Sequence, residues 1–170
     1  MTRAELERIV AEFLDAHTTV TLAGSIDDRP WTAAVYYARQ GFDLVFFSST
    51  RSRHSTIFQQ NPRAAGAVHG IYTTWKEIKG LQMEGTVEKI TGVRARARAL
   101  ATYLKRYPFA AEFFTDPGAL SPKIAEKMAR VALYMFRPEA ILHMDNSTGF
   151  GTRWKLGIEG GKAVGEPVSA

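Results

Sequence analysis

The densest run of side chains able to do chemistry is Ser48-Ser49-Thr50-Arg51-Ser52-Arg53-His54, which holds three serines, a threonine, two arginines and a histidine. It follows the apolar run Phe42-Asp43-Leu44-Val45-Phe46-Phe47, which reads as a strand. It also stands where Ser52 can open a short helix that Asn61-Pro62 ends. Hydroxyl donors, the free N–H groups of a first helical turn and guanidinium groups that grip two oxygens together suit a phosphate. The same composition describes a solvated loop with an N-cap serine, so the run alone leaves both readings open.

Other residue types narrow the chemistry. The chain has no cysteine, which removes disulfides, thiol nucleophiles, iron–sulfur clusters and thiolate zinc sites. His17, His54, His69 and His143 are scattered, with no carboxylate at ligand spacing, so no metal site is expected. His17 reads as a helix end, His69 and His143 as satisfied strand residues, and only His54 as functional. Trp31, Trp75 and Trp154 read as core or interface fillers, with Trp75 on a loop that can rim a pocket. A formal charge of +5 favours anionic partners. The cations Arg94, Arg96, Arg98, Lys105 and Arg106 share one helix without interleaved aromatics, so they read as a solvated face and nucleic acid is not expected.

The elements that must position these groups follow from patterning. Thr2-Arg3-Ala4-Glu5 is a capping box, and Leu6, Ile9, Val10, Phe13 and His17 then keep helical spacing over residues 3 to 16. Thr18 to Ser25 and Trp31 to Ala38 form a hairpin around Asp27-Asp28-Arg29-Pro30. Ala64 to Ile71 suits a crowded strand. Ile78 to Ile90 is a long strand with bulges or close approach expected at Gly80 and Gly85. A helix covers Val93 to Tyr107, Asp116-Pro117-Gly118 is a turn, and a short helix runs from Ser121-Pro122 to about Arg130. Val131 to Arg137 and Ile141 to Asp145 read as two strands joined at Pro138-Glu139, followed by a strand from Thr152 to Ile158. Residues 1–158 are expected to be one domain of mainly β, α+β class, a small barrel with flanking helices. Residues 159–170 read as a flexible tail. With 45% hydrophobic residues and no apolar run of membrane-spanning length or signal-peptide type, a folded cytoplasmic protein is expected.

The order of these elements resembles the pyridoxamine 5′-phosphate oxidase-like FMN-binding split barrels. The matching stretches are Leu44 to Ser49, Ser52-Arg53-His54, Asn61-Pro62-Arg63-Ala64 and Lys79 to Glu88. The chain is most similar to a small bacterial group, without an assigned activity, that ends in a stretch like Asp145-Asn146-Ser147-Thr148-Gly149-Phe150-Gly151. The resemblance implies a six-stranded antiparallel Greek-key split barrel and a homodimer with FMN between its subunits. It also implies an oxidoreductase acting on a small organic acceptor. Matched by position, Ser48 and Ser49 meet the flavin and ribityl chain, and Ser52, Arg53 and His54 grip the phosphate. Many relatives have lysine at the place of His54, so a histidine makes the charge of the site depend on pH. Ala33, Ala34 and Val35 edge the flavin ring, Lys79 covers it, and Trp154 comes from the opposing subunit. Thr32 stands where the oxidase has a basic phosphate ligand, so pyridoxamine 5′-phosphate oxidase activity itself is not expected. A non-catalytic flavin-binding or sensing module is the alternative, as is the same fold using F420 or haem.

Overall fold

The computed structural model describes residues 1–115 and 121–170, and the turn expected at Asp116-Pro117-Gly118 lies outside them. Helix α1 (Arg3–Ala16) starts at the expected box: Thr2 N–H donates to Glu5 at 2.7 Å and Glu5 N–H to Thr2 Oγ1 at 3.3 Å. It buries Leu6, Val10 and Leu14. Strands β1 (Thr19–Ile26) and β2 (Arg29–Gln40) form the hairpin, turning through Asp27 and Asp28 at φ 50 and 58. Short Asp side chains tolerate this left-handed region better than most.

The chain continues through β3 (Asp43–Ser49), α2 (Arg53–Gln60), β4 (Arg63–His69), β5 (Lys79–Lys89) and α3 (Val93–Arg106). Short helices α4 (Glu112–Thr115) and α5 (Pro122–Met128) precede β6 (Val131–Asp145), β7 (Arg153–Glu159) and β8 (Lys162–Ser169). The sheet order β3-β2-β1-β4-β5-β6 closes on itself because β6 also pairs with β3, giving an antiparallel ring of six strands. Strand β4 returns beside β1 rather than β3, the Greek-key step, and β7 and β8 extend from β6 as a hairpin. This is the split-barrel architecture the resemblance implies.

Strand β3 lacks alternation because both of its faces are covered. Leu44 and Phe46 join the barrel interior with Tyr37, Phe136 and Ile141, while Val45 packs under α3 with Tyr103, Tyr107 and Met135. Helix α2 closes one end of the barrel with Ile57 and Phe58. It lies so near β1 that a Cβ on Gly24 would meet the Phe58 ring at 2.7 Å. No helix among the described residues is long and apolar enough to cross a membrane.

Three expectations are corrected. Residues 131–145 form one strand, not two: β6 passes at Pro138 from pairing with β3 to pairing with β7, and β5 carries a register shift at Glu84/Gly85 opposite. A proline is accepted where a bulge already interrupts the ladder. A Cβ on Gly85 would fall 2.0 Å from the Arg137 carbonyl oxygen, so only glycine fits there. The segment expected as a tail forms β8, turned back on β7 by Gly160 and Gly161 at φ 56 and 74. Arg106 does not belong to a solvated face either. Its guanidinium donates to the carbonyls of His17 (2.5 Å) and Asp15 (3.0 Å), meeting the acceptors left open at the C-terminus of α1.

Candidate functional site

Where β3 ends and α2 begins, hydroxyls converge. Ser52 is the N-cap of α2, accepting from Ser55 N–H at 3.2 Å. Its Oγ lies 3.0 Å from Ser48 Oγ and donates to Ser55 Oγ at 2.8 Å, and Ser55 Oγ donates to Ser48 Oγ at 3.2 Å. His54 Nε2 closes the cluster, 2.6 Å from Ser48 Oγ and 3.1 Å from Ser52 Oγ. Burial pushes the His54 imidazole below its ordinary value of 6.5, so at neutral pH it is uncharged and its Nε2 is placed to accept from Ser48 Oγ. The charge expected to vary near neutrality is therefore displaced to lower pH in the isolated chain.

The cations stand outside this cluster. Arg53 is exposed, its guanidinium 4.0 Å from the centre of the Trp31 ring, a cation–π contact that holds it beside β2. Neither Arg51 nor Arg53 has a carboxylate partner among the described residues. Ser49 Oγ accepts from Arg51 N–H at 3.3 Å. Together these groups make a hydroxyl-lined, positively charged helix start.

Ala33, Ala34 and Val35 lie alongside. The pairing of β2 with β3 covers only Tyr37 to Gln40, and continuing its register sets Val35 level with Ser48 and Ala34 level with Ser49. Tyr37 N–H donates across to Thr18 on the β1 side. By strand alternation the main-chain groups of Thr32 and Ala34 therefore face the opening that β3 leaves. A flat ring can approach such an edge because the flanking side chains are alanines. Eight of the ten residues singled out from sequence thus gather at one end of the barrel.

Lys79 and Trp154 do not join them. Ser48 pairs with Ala132 at the start of β6, whereas Lys79 pairs with Asp145 at its end, thirteen residues on and about 40 Å along an extended strand. There Lys79 Nζ sits 3.0 Å from Asp145 Oδ2, and Trp154 pairs with His143. These residues line a groove of about 380 Å³ walled by Ile9 and Phe13 of α1. His143, on β6, is 5% exposed and lines this groove. Burial lowers its pKa, and nearby Lys79 lowers it further while Asp145 opposes. His69 does behave as an edge residue, its Nδ1 2.9 Å from Gly70 O.

Sequence reasoning missed Ser55 and His143. The first could have been found from its position three residues after the N-cap, which turns its side chain back to the cap. Nothing local marks His143, because the groove it lines depends on β7 and α1 folding beside it.

The family model described as pyridoxamine 5′-phosphate oxidase matches residues 6–144. A UPF0306 protein of Klebsiella pneumoniae (strain 342) is 27% identical over 146 residues, covering 85% of this chain and 88% of the relative. Among solved structures, a heme binding protein from Mycobacterium smegmatis superposes with a TM-score of 0.63 at 21% identity. That match covers 86% of this chain and 57% of the other. A fad-binding protein from Mesorhizobium loti gives 0.60 at 16% identity, covering 79% and 88% respectively.

Proposed function

Because this chain belongs to the pyridoxamine 5′-phosphate oxidase family, we propose that it is an FMN-binding oxidoreductase. It works as a cytoplasmic homodimer that passes electrons between a reductant and a small organic acceptor. The observation that carries this reading is the serine cluster at the start of α2, flanked by two arginines without carboxylate partners among the described residues and by an open strand edge of alanines. A phosphate dianion needs donors and positive charge, and an isoalloxazine ring needs a close, flat approach with main-chain hydrogen bonds. Both are present within one end of the barrel, so the residues fit the group.

When bound, FMN supplies hydride and single-electron transfer. The chain's own residues bind and orient it. Ser49, Ser52 and Arg53 hold the phosphate, with the first N–H groups of α2 behind them. His54 stands behind the serine hydroxyls and takes up a proton when an anion arrives. The Ala33 to Val35 edge faces the ring. Lys79 and Trp154 can reach that ring only from a second chain, since their own β6 carries them to the far end. This supports the dimer.

Haem is the second reading, favoured by one observation: His143 is a buried, neutral imidazole in a groove beside Trp154 and Phe13. His143 would hold the haem iron through a ring nitrogen.

The visible absorption spectrum of the protein, followed during titration with FMN and separately with haemin, tests both. Shifted flavin bands saturating at about one per chain support the first reading. No FMN binding at hundreds of micromolar, weaker than about 5 kcal/mol, contradicts it. A Soret shift that His143→Gln abolishes would favour haem instead. Enzyme activity is judged by reoxidation of the reduced flavin. If no organic acceptor outpaces oxygen, the protein is a flavin-binding module and not an oxidoreductase.

A further inference from the structure

The positive charge around the serine cluster exceeds what one phosphate needs. Besides Arg51 and Arg53, Lys89 at the end of β5 and Arg96 on α3 have no carboxylate partner among the described residues. Helices α2 and α3 contain no Asp or Glu at all. On the neighbouring elements, Glu88 is bonded to Arg137, and Glu126 to Arg130 at 2.5 Å. Four unpaired cations on adjoining elements repel one another, a cost that an anionic ligand removes.

The surface there is also hollow. Thr50, the residue after Ser49, lines a polar pocket of about 260 Å³ with Lys89, Arg96 and Arg130. That pocket shares Arg96, Val131, Ala132 and Leu133 with a second one of about 290 Å³. The second pocket is the more apolar of the two, walled by Phe47, Val93, Ala97 and Leu100. From Thr50 onward the order is the two cations Lys89 and Arg96, then an apolar slot beside the Arg96 guanidinium.

We propose that this trough takes the adenosine-phosphate half of a dinucleotide flavin, so that the site holds FAD in preference to FMN. Lys89 and Arg96 receive the second phosphate, and the slot lined by Val93, Ala97 and Leu100 receives adenine, whose face can stack on Arg96. The inference rests on the flavin reading above and refines which flavin is bound.

The test is a pair of titrations, FAD and FMN, on the wild-type protein and on Lys89→Glu/Arg96→Glu, read by flavin fluorescence quenching at fixed ionic strength. The milder Lys89→Gln/Arg96→Gln is measured in parallel, with circular dichroism to check that each variant is folded. Wild-type protein should bind FAD at least about tenfold more tightly than FMN, the effect of one charge-assisted hydrogen bond. The charge reversal should erase that advantage while changing FMN affinity less than about threefold. AMP alone should compete with FAD but not with FMN. Equal affinity for the two flavins in the wild type, or equal losses for both in the variants, would overturn the inference and leave FMN binding standing. Binding of neither flavin would overturn it together with the reading on which it rests.

Discussion

The two ends of strand β6 serve ligands in different ways. At its start, beside Ser48 to His54, hydroxyls are bonded to one another and the neighbouring arginines lack carboxylate partners among the described residues, so an anion would meet groups ready to turn outward. At its end the charges are spent: Lys79 is paired with Asp145, whose other oxygen accepts from Ser147 N–H at 2.9 Å and Ser147 Oγ at 2.6 Å. What remains there is an aromatic wall and a buried imidazole. One end offers charge and a flat strand edge and the other an aromatic wall, and the proposed flavin site draws the second from a partner chain.

The two ends are connected at Gly85 and Pro138, where β6 exchanges β3 for β7. Gly85→Ala forces a Cβ against the Arg137 carbonyl, and about 3 kcal/mol or more of stability should be lost. Urea denaturation checks this, and a loss under about 1 kcal/mol would show that the strand shifts to accommodate the methyl. Arg53→Ala should weaken FMN binding by about 1.5 to 3 kcal/mol and leave riboflavin, which lacks the phosphate, unaffected. Trp154→Ala should weaken both flavins alike. If Arg53→Ala weakens riboflavin as much as FMN, the division of labour between the ends is wrong.

Smaller effects come from the imidazoles. His54 and His143 both have pKa values lowered in the fold, so the unfolded chain binds more protons below the ordinary 6.5 and stability falls as pH drops through that value. The depressed carboxylates Asp15 and Asp145 act only at lower pH, nearer 3.8. Thermal melts between neutral pH and 5.5 should fall less steeply for His143→Gln than for the wild type, by at most about 1.4 kcal/mol per pH unit. Parallel slopes would mean that His143 takes up its proton as readily in the fold as in the unfolded chain. The smallest change is expected for Ser52→Ala, about 1 kcal/mol of stability from the lost cap. Its thermal midpoint should fall modestly, and a midpoint equal to that of the wild type would remove the cap from the energetics of α2.

How much of this could be read in the sequence depended on how local the cause was. The box at Thr2 and Glu5, the hairpin turn at Asp27-Asp28 and the cap at Ser52 are set by residues within a few positions, and each stands where patterning put it. Strand β6 was read as broken because Pro138 looks like a stop, and the bulge that accepts it lies some fifty residues earlier, at Gly85. Strand β8 carries no buried residue on its Lys162 to Val168 run, so no apolar alternation announces it; backbone pairing to β7 recruits it. At the site, the serine cluster was legible as a run of residue types. The separation of Lys79 and Trp154 from it was not, because it depends on the register of β6 with two different partners.

The central claim, that one flavin is held by the serine end of one chain and the Lys79 and Trp154 end of another, is tested most directly by mixed dimers. Arg53→Glu and Trp154→Glu chains carrying different tags would be co-expressed, purified through both tags and compared with each variant alone. Neither variant alone should retain flavin, whereas the mixed dimer contains one intact pairing of ends and should bind about one flavin per two chains. A mixed dimer that binds no more flavin than its parents would contradict a site shared between chains.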